Sequence, residues 1–122
     1  DISERDAKAA REAFDAFQDL ITRYPDSKYT PDARARMIYL ANSQGQAEVN
    51  VARYYFTRKA YLAAIQRAQT VVRDFQQTPA TEEALSIIAR SYEALHMKDL
   101  QADAERVLAL KFPQSKYLRA QR

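Results

Sequence analysis

A hexapeptide occurs twice in this chain: an aromatic residue, proline, a variable residue, serine, lysine and tyrosine. The copies are Tyr24-Pro25-Asp26-Ser27-Lys28-Tyr29 and Phe112-Pro113-Gln114-Ser115-Lys116-Tyr117, with a looser one at Phe75-Gln76-Gln77-Thr78. Each copy closes a segment whose apolar residues recur at three- and four-residue steps, the period of a helix with one buried face. Repetition of a helix end means stacked units, because each unit covers its apolar face with its neighbour. Composition agrees: glycine occurs once, proline four times and tryptophan never among 122 residues. That suits long helices in one all-α domain and leaves little for the tight turns of sheets.

The periodicity and its breakers predict about five helices. Ser3 and Asp6 resemble a weak capping box, and Ala10, Phe14, Phe17, Leu20, Ile21 and Tyr24 line a helix over about 6–23. Pro25-Asp26-Ser27 stops it. Thr30 as hydroxyl N-cap, Pro31 at the first helical position and Asp32 in the first turn start a second, over-long helix running to about Arg58. Its apolar positions are Met37, Ile38, Leu40, Val49, Val51, Ala52, Tyr55 and Phe56, and Gly45 allows a bend without a break. Leu62, Ile65, Ala68, Val71, Val72 and Phe75 share a face of the third helix, over 60–75. Thr78-Pro79-Ala80-Thr81-Glu82 opens the fourth, lined by Leu85, Ile88, Ala89, Tyr92 and Leu95. Leu100, Ala104, Val107, Leu108 and Phe112 mark the fifth, over about 99–111, which Pro113 ends.

The spacing Val51-Ala52-x-x-Tyr55, Lys59-x-Tyr61-x-x-Ala64, Ala68 and Val71-Val72 resembles the tetratricopeptide (TPR) consensus, and Ile88-Ala89-x-x-Tyr92 repeats its first half. Small residues let paired helices approach, and aromatic residues fill the gaps between pairs. The expected fold is therefore an all-α, TPR-like helix-turn-helix solenoid. Residues 1–29 would be the second half of a preceding repeat, 30–79 a repeat with an extended first helix, 80–113 a terminal repeat and 114–122 a tail. Lys59 and His96 stand where such repeats usually carry glycine.

More specifically, Asp32-Ala33-Arg34-Ala35-Arg36-Met37, Val51-Ala52-Arg53-Tyr54-Tyr55, Ala60-Tyr61-Leu62-Ala63-Ala64 and Gln77-Thr78-Pro79-Ala80 resemble the BamD (ComL/YfiO) family of outer-membrane assembly lipoproteins. The resemblance implies the C-terminal part of a scaffold in the β-barrel assembly machinery. Such a scaffold sits at the periplasmic face of the outer membrane, anchored through a lipidated N-terminal cysteine outside this sequence. Its implied partners are the barrel subunit, through its membrane-proximal POTRA domain, accessory lipoproteins, and unfolded outer-membrane proteins received mainly by the preceding repeats. A generic TPR peptide-binding adaptor is the alternative, against which the over-long second helix speaks.

No enzymatic reading emerges. Cysteine is absent, His96 ends a helix, and Glu82-Glu83 fit a first turn. Asp103 and Glu105 have no nucleophile or metal partner nearby in sequence. No cofactor is called for. The net charge of +3, with basic residues scattered at helical spacing, does not suggest nucleic acid. The candidate partner-binding residues are Arg67, Tyr54, Arg58, Arg53 and Lys59. Tyr54 lies one position off the core face, whereas Tyr55, Tyr61 and Tyr92 occupy core positions. Arg67 projects between Ala64, Ala68 and Val71, and its position resembles that of an arginine that the family presents to the barrel subunit. Arg53, Arg58 and Lys59 crowd a helix C-terminus, where cations also serve locally.

Overall fold

The computed structural model describes the backbone of residues 2–120 and the side chains of residues 5–118. Six helices follow one another among the described residues: α1 (Ile2–Arg23), α2 (Thr30–Thr57), α3 (Tyr61–Asp74), α4 (Ala80–Ala94), α5 (Lys98–Lys111) and α6 (Lys116–Ala120). No helix among them is long and apolar enough to cross a membrane. The chain forms two compact units, Asp1–Gln44 and Gly45–Arg122, with α2 contributing to both.

Two kinds of corner alternate along the chain. Where the hexapeptide occurs, the amides of Tyr24, Phe75 and Phe112 donate to Leu20, Val71 and Leu108, ending three helices identically. The amides of Ser27, Thr78 and Ser115 then donate back to the carbonyls of Tyr24, Phe75 and Phe112. The loose copy thus has the same backbone as the close ones. A helix end leaves carbonyls without partners, and here buried hydroxyls supply them. Thr30 Oγ1 donates to the Tyr24 carbonyl at 2.6 Å, and Thr81 Oγ1 to that of Phe75 at 2.9 Å. Thr30 therefore ties the start of α2 to the end of α1 and is not the N-cap that its position suggested. The backbone of Ser3 lies inside α1, which extends to Ile2, and its side chain lies outside the described residues.

The other corner is a left-handed helix stop. Lys59 and His96 have φ of 63° and 60°. The amides of Lys59 and Ala60 donate to Phe56 and Tyr55, and those of His96 and Met97 donate to Glu93 and Tyr92. These are the paired bonds of a Schellman stop, a position at which glycine is usual. Both departures from the repeat pattern therefore keep the conformation that glycine normally provides.

Within Gly45–Arg122, α3 packs on α4, α4 on α5 and α5 on α6, the consecutive packing of a TPR-like solenoid. The core is built largely from small residues: Ala52, Ala64, Ala68, Ala84 and Ala89 are buried beside Val49, Val71, Ile87 and Ile88. Tyr55 and Tyr92 pack partly buried against it, as the repeat spacing required, together with Phe56 and Phe75, while Tyr61 is half-buried with its ring edge-on to Phe56 at 5.7 Å. The helical face is narrower than periodicity alone suggested. Val51, Leu62, Leu100 and Val107 are exposed. Alanine-rich helices approach so closely that residues at the flank of the stripe are left outside.

Helix α2 continues unbroken through Gly45, whose role lies in packing. A Cβ added there would meet Thr78 Oγ1 at 2.8 Å and Phe75 Cβ at 3.3 Å. Glycine lets α2 touch the α3–α4 corner. In the unit Asp1–Gln44, Thr30 and Ala33 are buried, Phe14, Phe17, Leu20 and Ile21 are half-buried, and Ile38 is exposed. The expected tail contains a sixth helix, α6. Its start repeats that of α2: Tyr29 and Tyr117 amides each donate to the serine two residues earlier, at 3.2 Å. The second hexapeptide copy was thus a helix-start signal as well as a helix end.

Candidate protein-docking face

Arg53 and Tyr54 stand on the last turns of α2, Arg58 and Lys59 occupy the turn that follows, and Arg67 lies midway along α3. The tertiary structure gives them different environments. Arg53 faces α4, where Nε and Nη2 donate to Glu83 Oε2 and Oε1, each at 2.6 Å. This bidentate clamp joins α2 to the first turn of α4. The hydrogen bonding raises the Arg53 pKa above its ordinary value, against a smaller opposing effect of burial. Arg53 is therefore largely committed to the fold.

Tyr54 and Arg58, one helical turn apart, make a stacked pair. The Arg58 guanidinium carbon lies 3.5 Å from the centroid of the Tyr54 ring, and Nη1 donates to the Tyr54 carbonyl at 3.3 Å. Tyr54 remains 52% exposed, with its ring edge-on to Tyr55 at 5.7 Å. A cation held over an exposed ring offers a broad surface, and tyrosine and arginine are enriched among interface anchors. Lys59 is exposed beside it, with its backbone fixed by the helix stop.

Arg67 resembles neither. It is half exposed, and Nη1 donates to Glu48 Oε2 of α2 at 3.3 Å. Among the described residues no second hydrogen bond from this guanidinium accompanies it, in contrast to the two short hydrogen bonds of Arg53. An arginine carries five donor hydrogens in a planar fork, so most of this one's capacity is unspent.

A second polar cluster lies where α6 meets the start of α4. Ser115 Oγ donates to Glu82 Oε2 at 2.8 Å, and Lys116 and Tyr117 line a shallow cleft with Gln46, Pro79 and both glutamates. Burial, then the charges of Glu83 and Glu82, raise the Tyr117 pKa. Glu82 and Glu83 do stand in a first turn, as expected, but each also has a distant partner. The repeated serine was the one available signal for Ser115. Nothing in sequence spacing pointed to Arg53–Glu83 or Glu48–Arg67.

The family model described as YfiO, outer membrane lipoprotein, matches residues 1–108, a span holding all five candidate residues and both of their carboxylate partners. The chain belongs to the YfiO family. Among curated relatives, it is 48% identical over 118 residues to the outer membrane protein assembly factor BamD of Neisseria meningitidis serogroup A, covering 97% of this chain and 44% of that protein. BamD of Xylella fastidiosa Temecula1 is 34% identical over 122 residues, all of this chain and 42% of the relative. BamD of Haemophilus influenzae is 32% identical over 108 residues, 88% of this chain and 41% of the relative. The chain thus spans less than half the length of these relatives. Family membership agrees with the expectation drawn from Val51-Ala52-Arg53-Tyr54-Tyr55 and its companion segments.

Proposed function

We propose that this chain is the C-terminal, non-catalytic docking part of a scaffold in the β-barrel outer-membrane protein assembly machinery. It binds the POTRA region of the barrel subunit and accessory lipoproteins at the periplasmic face of the outer membrane. An N-terminal cysteine outside this sequence supplies the lipid anchor, and preceding repeats receive the unfolded barrel substrates. Membership of the YfiO family, with relatives named outer membrane protein assembly factors, carries this reading.

Arg67 is the central docking residue. Its exposed, singly engaged guanidinium can still form paired hydrogen bonds to a partner carboxylate. The stacked Tyr54 and Arg58, with Lys59 beside them, form the adjoining contact surface, and Arg53 supports it through Glu83.

The test is calorimetric titration of this chain with the membrane-proximal POTRA domain of its own organism's barrel subunit. The wild type should bind, and Arg67→Glu should lose about 1 to 3 kcal/mol of binding free energy with helicity unchanged. Equal binding by both proteins would discard Arg67 as the docking residue. Absence of binding by either would remove the POTRA assignment.

A further inference from the structure

We propose that Glu48 is a positioning residue for Arg67, holding one edge of its guanidinium so that the rest is oriented toward a partner's carboxylate. This rests on the reading of Arg67 as the docking residue. The geometry has three parts. Glu48 precedes Val49 and Arg67 precedes Ala68, and both following residues are fully buried, so tight packing of the core fixes the two backbones. The pair itself sits at the surface: the Glu48 side chain is 28% exposed and that of Arg67 is 49% exposed. Finally, the contact uses Nη1 alone, at 3.3 Å.

An exposed ion pair adds little to stability, so the consequence of this one lies elsewhere. A free arginine side chain samples many rotamers, and ordering them opposes association. Glu48 restricts that freedom before a partner arrives. Its single contact leaves Nε and Nη2, the edge best suited to a side-on carboxylate, without a partner among the described residues. The clamp at Arg53 shows the contrast, because Glu83 fills that same edge of its guanidinium. Two arginines on neighbouring helices therefore differ in purpose: one is closed by its glutamate, the other is aimed by it.

The experiment is a double-mutant cycle, with the membrane-proximal POTRA domain as probe and this chain as wild type, Glu48→Ala, Glu48→Gln, Arg67→Ala and Glu48→Ala/Arg67→Ala. Circular dichroism should show the same helicity throughout. Glu48→Ala should weaken binding about threefold to tenfold, the range expected from releasing one ordered side chain. Glu48→Gln should stay within about twofold of wild type, because the amide oxygen still accepts from Nη1. In the Arg67→Ala background, Glu48→Ala should have no further effect. Tighter binding by Glu48→Ala would overturn the proposal, making Glu48 a competitor for Arg67. An equal loss in the Arg67→Ala background would also overturn it, since Glu48 would then act independently. If Arg67→Ala alone binds like wild type, the docking role of Arg67 fails and this inference fails with it.

Discussion

Lys59 and His96 adopt one backbone conformation, φ 63° and 60°, at equivalent stops of two successive helix hairpins. A residue with a Cβ pays for a left-handed φ with steric strain, and glycine does not. Lys59→Gly and His96→Gly should each raise stability by about 0.5 to 1 kcal/mol, the relief of strain exceeding the added entropy of the unfolded chain. Lys59→Val should lower it, because a branched side chain tolerates that region worst. Urea denaturation midpoints at constant slope will decide; no gain at either position would mean that the strain is absorbed elsewhere.

Gly45 makes the opposite case. Alanine favours a helix interior over glycine by about 1 kcal/mol, yet its Cβ would press on Thr78 Oγ1 at 2.8 Å. That hydroxyl cannot turn aside freely, since it donates to the Phe75 carbonyl at 2.7 Å. Gly45→Ala should destabilise the chain by about 1 to 3 kcal/mol through overpacking. Thermal unfolding will show this as a lower Tm, whereas a higher one would mean that the α3–α4 corner yields.

The Arg53–Glu83 clamp should matter for stability more than the other surface ion pairs, because it is bidentate and its glutamate is mostly buried. Glu83→Gln should cost about 0.5 to 1.5 kcal/mol. Disrupting Arg36–Asp32, an exposed pair one helical turn apart, should cost less than about 0.5 kcal/mol. Denaturant titrations at low and high salt will separate them, with the Glu83→Gln deficit shrinking as salt rises.

Tyr117 adds a dependence on alkaline pH. Burial and the nearby Glu83 and Glu82 disfavour its phenolate, so its folded pKa lies above the ordinary 10.0. The folded chain then holds this proton more tightly than the unfolded chain does. The resulting stability is complete below 10.0 and is lost as pH rises through the folded pKa. Tyr117→Phe should therefore lose less stability than wild type between about pH 9 and about pH 11. Equal losses in both proteins would exclude Tyr117 as a contributor.

The sequence was most readable where the physics is local. Helical periodicity, proline stops and repeated corners located α1 to α5 to within a few residues, because each signal acts over one or two turns. The same locality explains the errors. Thr30 reads as an N-cap until the Ala33 amide is found donating to the Tyr29 carbonyl, which starts the helix one residue earlier and leaves the Thr30 hydroxyl donating to the Tyr24 carbonyl. Leu62 and Val107 count toward an apolar face until close helix approach narrows that face. Of the candidate site, the sequence offered Tyr54, Arg58 and Arg67 only as candidates, and the contacts that each makes were not legible in it.

The amino-acid sequence by itself determined the all-helical class, the repeat, the positions of the corners and the family, since all of these are written in spacing along the chain. Only the tertiary structure decided which arginine is closed and which is open. Glu83 meets Arg53 across a separation of 30 residues, and Glu48 meets Arg67 across one of 19. Such pairings depend on where the core lets the helices come to rest, and no local rule encodes that.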